Sequence, residues 1–393
     1  MLKPIKNYVL PIIVFAQFCC TSLWFAGNGV MSAITDNFNL NNYALGYLTS
    51  AVQLGFIIGT LVFALYTITD RFSPSKVFFL SAILSATFNV LIVFEFNTLS
   101  SLVLFRFFTG FFLAGIYPVG MKIAADYFKE NLGKSLGFLV GALVIGTSLP
   151  HLLKSIGSLP SWRFVIYITS GLATLGGLFI LSFVRNGPYR KPALKFDFTI
   201  VYKVFKQPKF RAAAFGYFGH MWELYAFWAF LPMVVNAYLL HHKLINFDSS
   251  LVSFTVIVIG AMGCILTGYL SQKYATKKLA TIALAVSCAC CILSPLFFIL
   301  VIHQLGFVFL LVWGMAIIAD SPLFSTLVAQ HAEPEVKGTA LTIVNSIGFA
   351  ITILSIQLLN SLIAVMDIRY LFVILAIGPM LGLFGLYYPS NRP

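Results

Sequence analysis

Charge is the scarcest commodity in this chain. Lys, Arg, Asp and Glu together make up 9% of its 393 residues, against about 25% in an ordinary soluble domain. A surface that poor in charge cannot face water. With 60% hydrophobic residues and a mean hydropathy of +0.94, disordered tails, coiled coils, secreted scaffolds and soluble nucleic-acid modules are excluded together. Cysteine is sparse too. Cys19, Cys20, Cys264, Cys288, Cys290 and Cys291 all lie inside apolar runs, with no zinc-ligand spacing and no paired framework, so they read as small hydrophobes and no metal site is expected. H-E-x-x-H, G-x-S-x-G and phosphate-cradling glycine loops are also absent, which argues against an enzyme and against any cofactor. No A-x-A cleavage site follows the first apolar run. That run is longer than a signal-peptide core and reads as an uncleaved helix behind Lys3 and Lys6.

Long apolar runs are what the chain has in abundance. A membrane helix needs about 20 apolar residues. Such runs fall at 8–31, 44–67, 78–95, 100–124, 135–156, 163–185, 210–240, 249–271, 279–302, 305–328, 339–363 and 370–389. No segment alternates polar and apolar residues as a barrel strand does. The expectation is an all-α membrane protein of twelve transmembrane helices. With the N-terminus in the cytoplasm, 20 of the 25 Lys and Arg residues fall on that side, leaving Arg106, Lys154, Arg163, Lys243 and Arg369 elsewhere. The positive-inside rule therefore predicts both termini cytoplasmic. It also accounts for the net charge of +13 without nucleic acid, because loop cations meet anionic lipid at that face.

The longest polar segment divides the chain into helical bundles 1–185 and 210–393 with a cytoplasmic linker at 186–209, whose basic and aromatic residues suit an interfacial helix. A repeat supports the division. Asp70-Arg71-Phe72-Ser73-Pro74-Ser75-Lys76 after span two is echoed 202 residues later by Gln272-Lys273-Tyr274-Ala275-Thr276-Lys277-Lys278 after span eight, and Gly110 and Pro118 stand 204 residues before Gly314 and Pro322.

These features resemble the major facilitator superfamily, whose signature between helices two and three is G-x-x-x-D-R-x-G-R-[RK]. Asp70, Arg71 and Lys76 match it, while Tyr66 and Ser73 replace its glycines. Gly268 restores the first glycine in the second copy. Arg106 and Gly110 are similar to the family's R-x-x-x-G element in helix four. SLWFAGN, GALVIGTSLPHLL and GHMWELYAFWAF look like a bacterial branch grouped with nitrate, nitrite and cyanate porters. The glycine ladder ending in G-P-x-x-G-G that marks drug/proton antiporters is not matched. The resemblance implies two six-helix halves, alternating access, and a central cavity lined by helices one, four, seven and ten.

Asp70 at the end of span two is expected to meet the positive N-terminal end of span eleven near Thr339 and hold a cytoplasmic gate, with Arg71 and Lys76 orienting it and Gln272 and Lys273 as the second copy. Polar groups deep in a span cost a few kcal/mol each on insertion scales, so each is a functional candidate. Arg106, His220, Glu223 and Asp320 qualify. On span one, Gln17, Thr21, Trp24 and Asn28 recur at helical spacing and form one polar face. Gln17, Trp24, Asn28, Arg106, Tyr217 and Trp313 are the expected substrate contacts, and Glu223, His220 and Asp320 the expected proton-coupling groups. One buried cation against two carboxylates leaves one negative charge, which a proton would neutralise. The guanidinium fork of Arg106 suits a carboxylate or oxyanion.

The function expected is proton-coupled secondary active transport of a small polar solute, an organic or inorganic anion. The alternatives are proton-driven export of a metabolite, siderophore or amphipathic drug, and a non-transporting receptor. Expected partners are the solute, protons and membrane lipids, with no nucleic acid. The expected setting is a monomer, multi-pass in a bacterial inner membrane.

Overall fold

The computed structural model describes residues 6–41, 43–128, 132–156, 161–190, 199–244, 246–300, 302–333 and 337–387. Among these residues every regular element is helical. The chain separates into two compact units, Met1–Phe196 and Asp197–Pro393.

In the first unit the helices are α1 (Lys6–Thr21), α2 (Ala26–Gly29), α3 (Met31–Asn37), α4 (Ala44–Leu65), α5 (Ile68–Arg71), α6 (Pro74–Leu91), α7 (Leu99–Leu113), α8 (Tyr117–Tyr127), α9 (Leu132–Ser155) and α10 (Arg163–Phe183). The second unit holds α11 (Thr199–Phe205), α12 (Pro208–His241), α13 (Ser249–Leu270), α14 (Thr276–Ile299), α15 (His303–Ala319), α16 (Ser321–His331), α17 (Lys337–Leu362), a 3₁₀ segment at Ile368–Ala376, and α18 (Ile377–Tyr387).

Eleven helical stretches among the described residues are long and apolar enough to cross a membrane, and Tyr8–Thr21 is a shorter apolar helix. The difference from twelve uniform spans lies in span one. Expected as one helix over 8–31, it stops at Thr21, turns through Ser22–Phe25 and resumes as α2 and α3. Leu23 N–H donates to Cys20 C=O at 3.3 Å and Trp24 N–H to Thr21 C=O at 3.0 Å. The turn is thus wound tighter than an α-helix and frees carbonyls downstream.

Spans four and ten are also interrupted, and at equivalent places. Pro118 and Pro322 sit in the first turns of α8 and α16. Proline has no N–H to give the preceding turn, so the helix before it ends and a new one starts. The break in span four falls at Ala114–Ile116 and that in span ten at Asp320.

The repeat extends to backbone contact. A Cβ on Gly110 would lie 2.0 Å from the Val52 carbonyl oxygen, and a Cβ on Gly314 would lie 2.0 Å from that of Val256. Gly59 meets the Phe111 oxygen at 2.3 Å and Gly263 the Met315 oxygen at 2.8 Å in the same sense. All four pairs are related by 204 residues. Helices α4 and α7 in one unit, and α13 and α15 in the other, therefore touch backbone to backbone, as small residues permit in membranes.

Candidate functional site

Two buried polar clusters stand out, one in each unit. In the first, Arg106 of α7 is 1% exposed, and its guanidinium is spent on two backbone carbonyls and a side-chain amide. Nη1 donates to Leu23 C=O at 3.1 Å and to Asn89 Oδ1 at 3.1 Å, and Nη2 donates to Trp24 C=O. Asn89 of α6 in turn donates to Ser170 Oγ of α10 at 3.0 Å. The arginine fork thus fills the gap left by the unwound turn of span one and ties it to three other helices. The carbonyls at the end of α1 carry the partial negative charge that balances the cation. No described carboxylate pairs with Arg106.

The break also redistributes the expected polar face of span one. Asn28 Nδ2 donates to Thr49 Oγ1 of α4 at 2.8 Å. Trp24 packs on Phe56 of α4 with ring centroids 4.8 Å apart. Thr21 bonds back to Gln17 C=O at 2.8 Å and faces Gly146 of α9. The Gln17 carboxamide lies against Gly120 of α8. Four residues aligned on an ideal helix are thereby shared among three neighbours.

In the second unit, His220 and Glu223 occupy consecutive turns of one face of α12, as their spacing of three requires. His220 Nδ1 stands 2.8 Å from Asp320 Oδ1, both side chains 1% exposed. Asp320 sits at the break between α15 and α16, where the 204-residue repeat has Ile116 in the first unit. The Ser287 hydroxyl of α14 donates to Glu223 Oε1, and Trp313 and Cys291 also face that carboxyl. The three residues expected on acid–base grounds are brought together. Their surroundings are a serine, a thiol, an indole and the Tyr217 and Phe324 rings, 6.0 and 6.4 Å from His220.

Trp313, expected at the substrate, is 1% exposed and wedged among Phe227, Phe309 and Phe372 at 4.6, 5.7 and 5.5 Å. Its indole helps build the Glu223 pocket. Tyr217 packs against Gly348 of α17.

Among the gating candidates, Arg71, Lys76, Gln272 and Lys273 are exposed at helix ends. The side chain of Asp70 lies outside the described residues, so its expected contact with span eleven does too. The loop around it is anchored within its own unit. Ser73 Oγ donates to Asn186 Oδ1 at 2.9 Å, Ser75 Oγ to Val184 C=O at 2.7 Å, and Arg190 to Phe72 C=O at 2.9 Å.

Four of the five cations expected away from the cytoplasm have polar partners in their own unit, Arg106 among them. Arg163 pairs with Glu95, Lys154 donates to Ser32 Oγ at 3.4 Å, and Arg369 forks onto Asp367. That fork holds the exposed Asp367 carboxyl down at about 2.

Sequence reasoning missed Asn89, Ser287, Gln53 and His151, all buried. Asn89, Gln53 and His151 carried a signal, since each places a strongly polar group within a span. Ser287 did not, because serines in membrane helices ordinarily bond to their own backbone.

A helical membrane protein built from two repeated bundles, each with a polar cluster sealed inside, has the layout of a solute carrier. The chain belongs to the Major Facilitator Superfamily, whose family model matches residues 13–356. It is 26% identical over 186 residues to the "Putative uncharacterized transporter YgaY" of Escherichia coli K12 and to the "Uncharacterized transporter YgaY" of Escherichia coli O157:H7. Each alignment spans 45% of this chain and 45% of the relative. Solved structures with the same fold include a point mutant of the nucleoside transporter NupG, with a TM-score of 0.74, 15% identity and coverage of 98% of this chain and 100% of that one. The proton:xylose symporter XylE, bound to 6-bromo-6-deoxy-D-glucose, gives 0.73 at 15% identity, with coverage of 99% and 96%. A bacterial homolog of the lysosomal transporter Spinster gives 0.72 at 16%, with coverage of 100% and 98%. The chain is therefore an integral, multi-pass membrane protein of a transporter family, and its fold is theirs.

Proposed function

We propose that the chain is a secondary active transporter of a small polar solute, driven by protons that bind at Glu223 with His220 and Asp320 as its partners. The observation that carries this reading is the acid–base cluster in the second unit. Two carboxyls and an imidazole are sealed from solvent, and the imidazole lies within hydrogen-bond distance of one carboxyl. Buried ionisable groups in a membrane helix are costly enough that they persist where ions or protons move. One proton more or less in this cluster changes its net charge by one unit, and a change of buried charge biases which arrangement of the helices is stable. The solute and proton would be moved by alternating access, as the parallel repeats of the family imply. Asp70, Arg71 and Lys76, with Gln272 and Lys273, remain the proposed gate elements.

An anionic solute was the expectation because of Arg106. The bonds of that guanidinium to Leu23, Trp24 and Asn89 support a different use, and an anion would have to compete with two backbone carbonyls for it. Charge on the solute is accordingly not part of the proposal.

The test is a solute-uptake screen in cells overproducing the chain, with and without a protonophore. Accumulation of at least one solute that collapses on protonophore addition is expected. In Glu223→Gln, exchange of that solute across the membrane should persist while accumulation is lost. Accumulation that stays protonophore-sensitive in Glu223→Gln overturns the assignment.

A further inference from the structure

Arg106 accounts for the carbonyls of the broken turn, but two carboxamides in the same unit are left over. Gln17 of α1 and Gln53 of α4 are both fully buried, and neither the oxygen nor the nitrogen of either carboxamide has a hydrogen-bond partner among the described residues. Buried amides are nearly always paired, and one left unpaired carries its full desolvation penalty. Two such groups in one bundle call for a partner that is not part of the chain.

Their placement is coherent. Thr49, Gln53, Phe56 and Thr60 fall at helical spacing along one stripe of α4, and this stripe faces span one, since Thr49 accepts from Asn28 and Phe56 packs on Trp24. Gln53 therefore points at span one between those two contacts, beside the unwound turn. Gln17 lies two turns away on the other side of Trp24. Room for its carboxamide exists because residue 120 is glycine, where a Cβ would come within 2.5 Å of the Gln17 side-chain oxygen.

We propose that Gln17 and Gln53, on either side of Trp24, form a hydrogen-bonding subsite for a neutral solute bearing hydroxyl or amide groups. Each carboxamide offers one acceptor and two donors without charge, and the packed Trp24 and Phe56 rings make the surroundings apolar. A site that hydrogen-bonds hydroxyls or amides strongly rejects analogues that leave its polar groups unpaired. The guanidinium that would favour an anion is held by backbone. The inference rests on the transporter reading and names its solute class.

The test uses the full-length, detergent-purified protein and matched pairs that differ in charge: glycerol and glycerate, lactamide and lactate, glucose and gluconate. Ligand-dependent thermal stabilisation is read for wild type, Gln53→Leu, Gln17→Leu and Gly120→Ala. A neutral member should stabilise wild type, and its carboxylate partner should not. Affinity should fall on the order of tenfold or more in each variant, as expected when a hydrogen-bonding partner is removed or displaced. Without ligand, the two leucine variants should melt at the same temperature as wild type or higher, because an unpaired polar group has been replaced by an apolar one. That pairing of intact fold with lost binding is what a merely structural role cannot give. Lower melting of both leucine variants without ligand overturns the proposal, as does stabilisation only by carboxylates, or by no member of any pair. None of these readouts involves Glu223, so failure here and failure of the proton-coupled reading are separable.

Discussion

The two units share a scaffold and differ in what they bury. Both bring a pair of helices into backbone contact through glycines 204 residues apart, and both interrupt the equivalent span ahead of a proline. In the first unit Arg106 is buried within span four, and span one is broken beside it. In the second unit the equivalent position is Leu310, buried and apolar, and span seven runs unbroken for 34 residues. The difference teaches that the break and the arginine are one device. A helix opened inside a membrane needs donors for its freed carbonyls, and only the unit that supplies a guanidinium can open its first helix. Conversely, the acid–base cluster sits where the second unit has Asp320 and the first has Ile116. One copy of the scaffold uses a cation to hold an opened helix, and the other gathers two carboxyls and an imidazole in one cluster.

Converting one unit towards the other is the strongest way to break this comparison. Arg106→Leu gives the first unit the residue of the second; it removes the donors to the Trp24 carbonyl and the Asn89 side-chain oxygen, and it leaves the Leu23 carbonyl only the 3.4 Å bond from Ala26 N–H. At about 1–3 kcal/mol for each buried group left unpaired, a loss of several kcal/mol is expected. A two-domain membrane protein should show this as a melting temperature lower by about 2–4 °C per kcal/mol, read by thermal unfolding in detergent. An unchanged melting temperature would separate the break from the arginine.

The shared scaffold predicts equal sensitivity. Gly110→Ala and Gly314→Ala each force a methyl group onto a backbone carbonyl, at about 1–3 kcal/mol for overpacking, and the two losses should agree within about 1 kcal/mol. A large loss in one unit and none in the other would show that the repeat has drifted in packing as well as in chemistry.

Smaller in stability but sharper in function is Ser287→Ala. It removes the hydroxyl that donates to Glu223 and should cost about 1–2 kcal/mol of stability while slowing protonophore-sensitive uptake. Ser287→Thr should restore much of the rate. A variant with wild-type uptake would place Ser287 outside the proton site.

The least effect is expected at the exposed Asp367–Arg369 pair. Its carboxyl, held at about 2 against an ordinary 3.8, is a depressed group. Whatever it contributes is fully present above the ordinary value and is lost only as the pH falls through about 2. From pH 5 to 8, Asp367→Asn should therefore melt in parallel with wild type, and a pH-dependent gap in that window would contradict the pairing.

Much of this architecture is legible in the sequence because the membrane enforces it. Long apolar runs cannot be anything but spanning helices, and Gly110, Gly314, Pro118 and Pro322 announced the repeat by their spacing. His220, Glu223 and Asp320 were found from the cost of burying charge, and the fold brings them together in one unit. The broken turn of span one was not legible. Ser22–Phe25 contains no proline or glycine, and what opens it is a side chain 83 residues away. The use of Arg106 in that turn was not legible either, since intramembrane charge marks importance without naming the partner. Gln53 carries no charge and was not singled out as Gln17 and Asn28 of span one were, although unpaired amides are as costly in apolar surroundings as many ionisable groups are after neutralisation.

The glycine contacts of α4 with α7 and of α13 with α15 carry a mechanical consequence. Where one helix rests its backbone on another with no side chain between them, neither can slide or roll without steric collision, and the pair behaves as a single stiff strut. Strain from any rearrangement is then diverted to segments whose helical bonding is already interrupted. In the first unit such a segment is the unwound turn at Ser22–Phe25, four residues whose torsions can change while the struts stay rigid. Spin labels on α4 and α7 should report one fixed separation under every condition, while a label near Phe25 should report more than one environment.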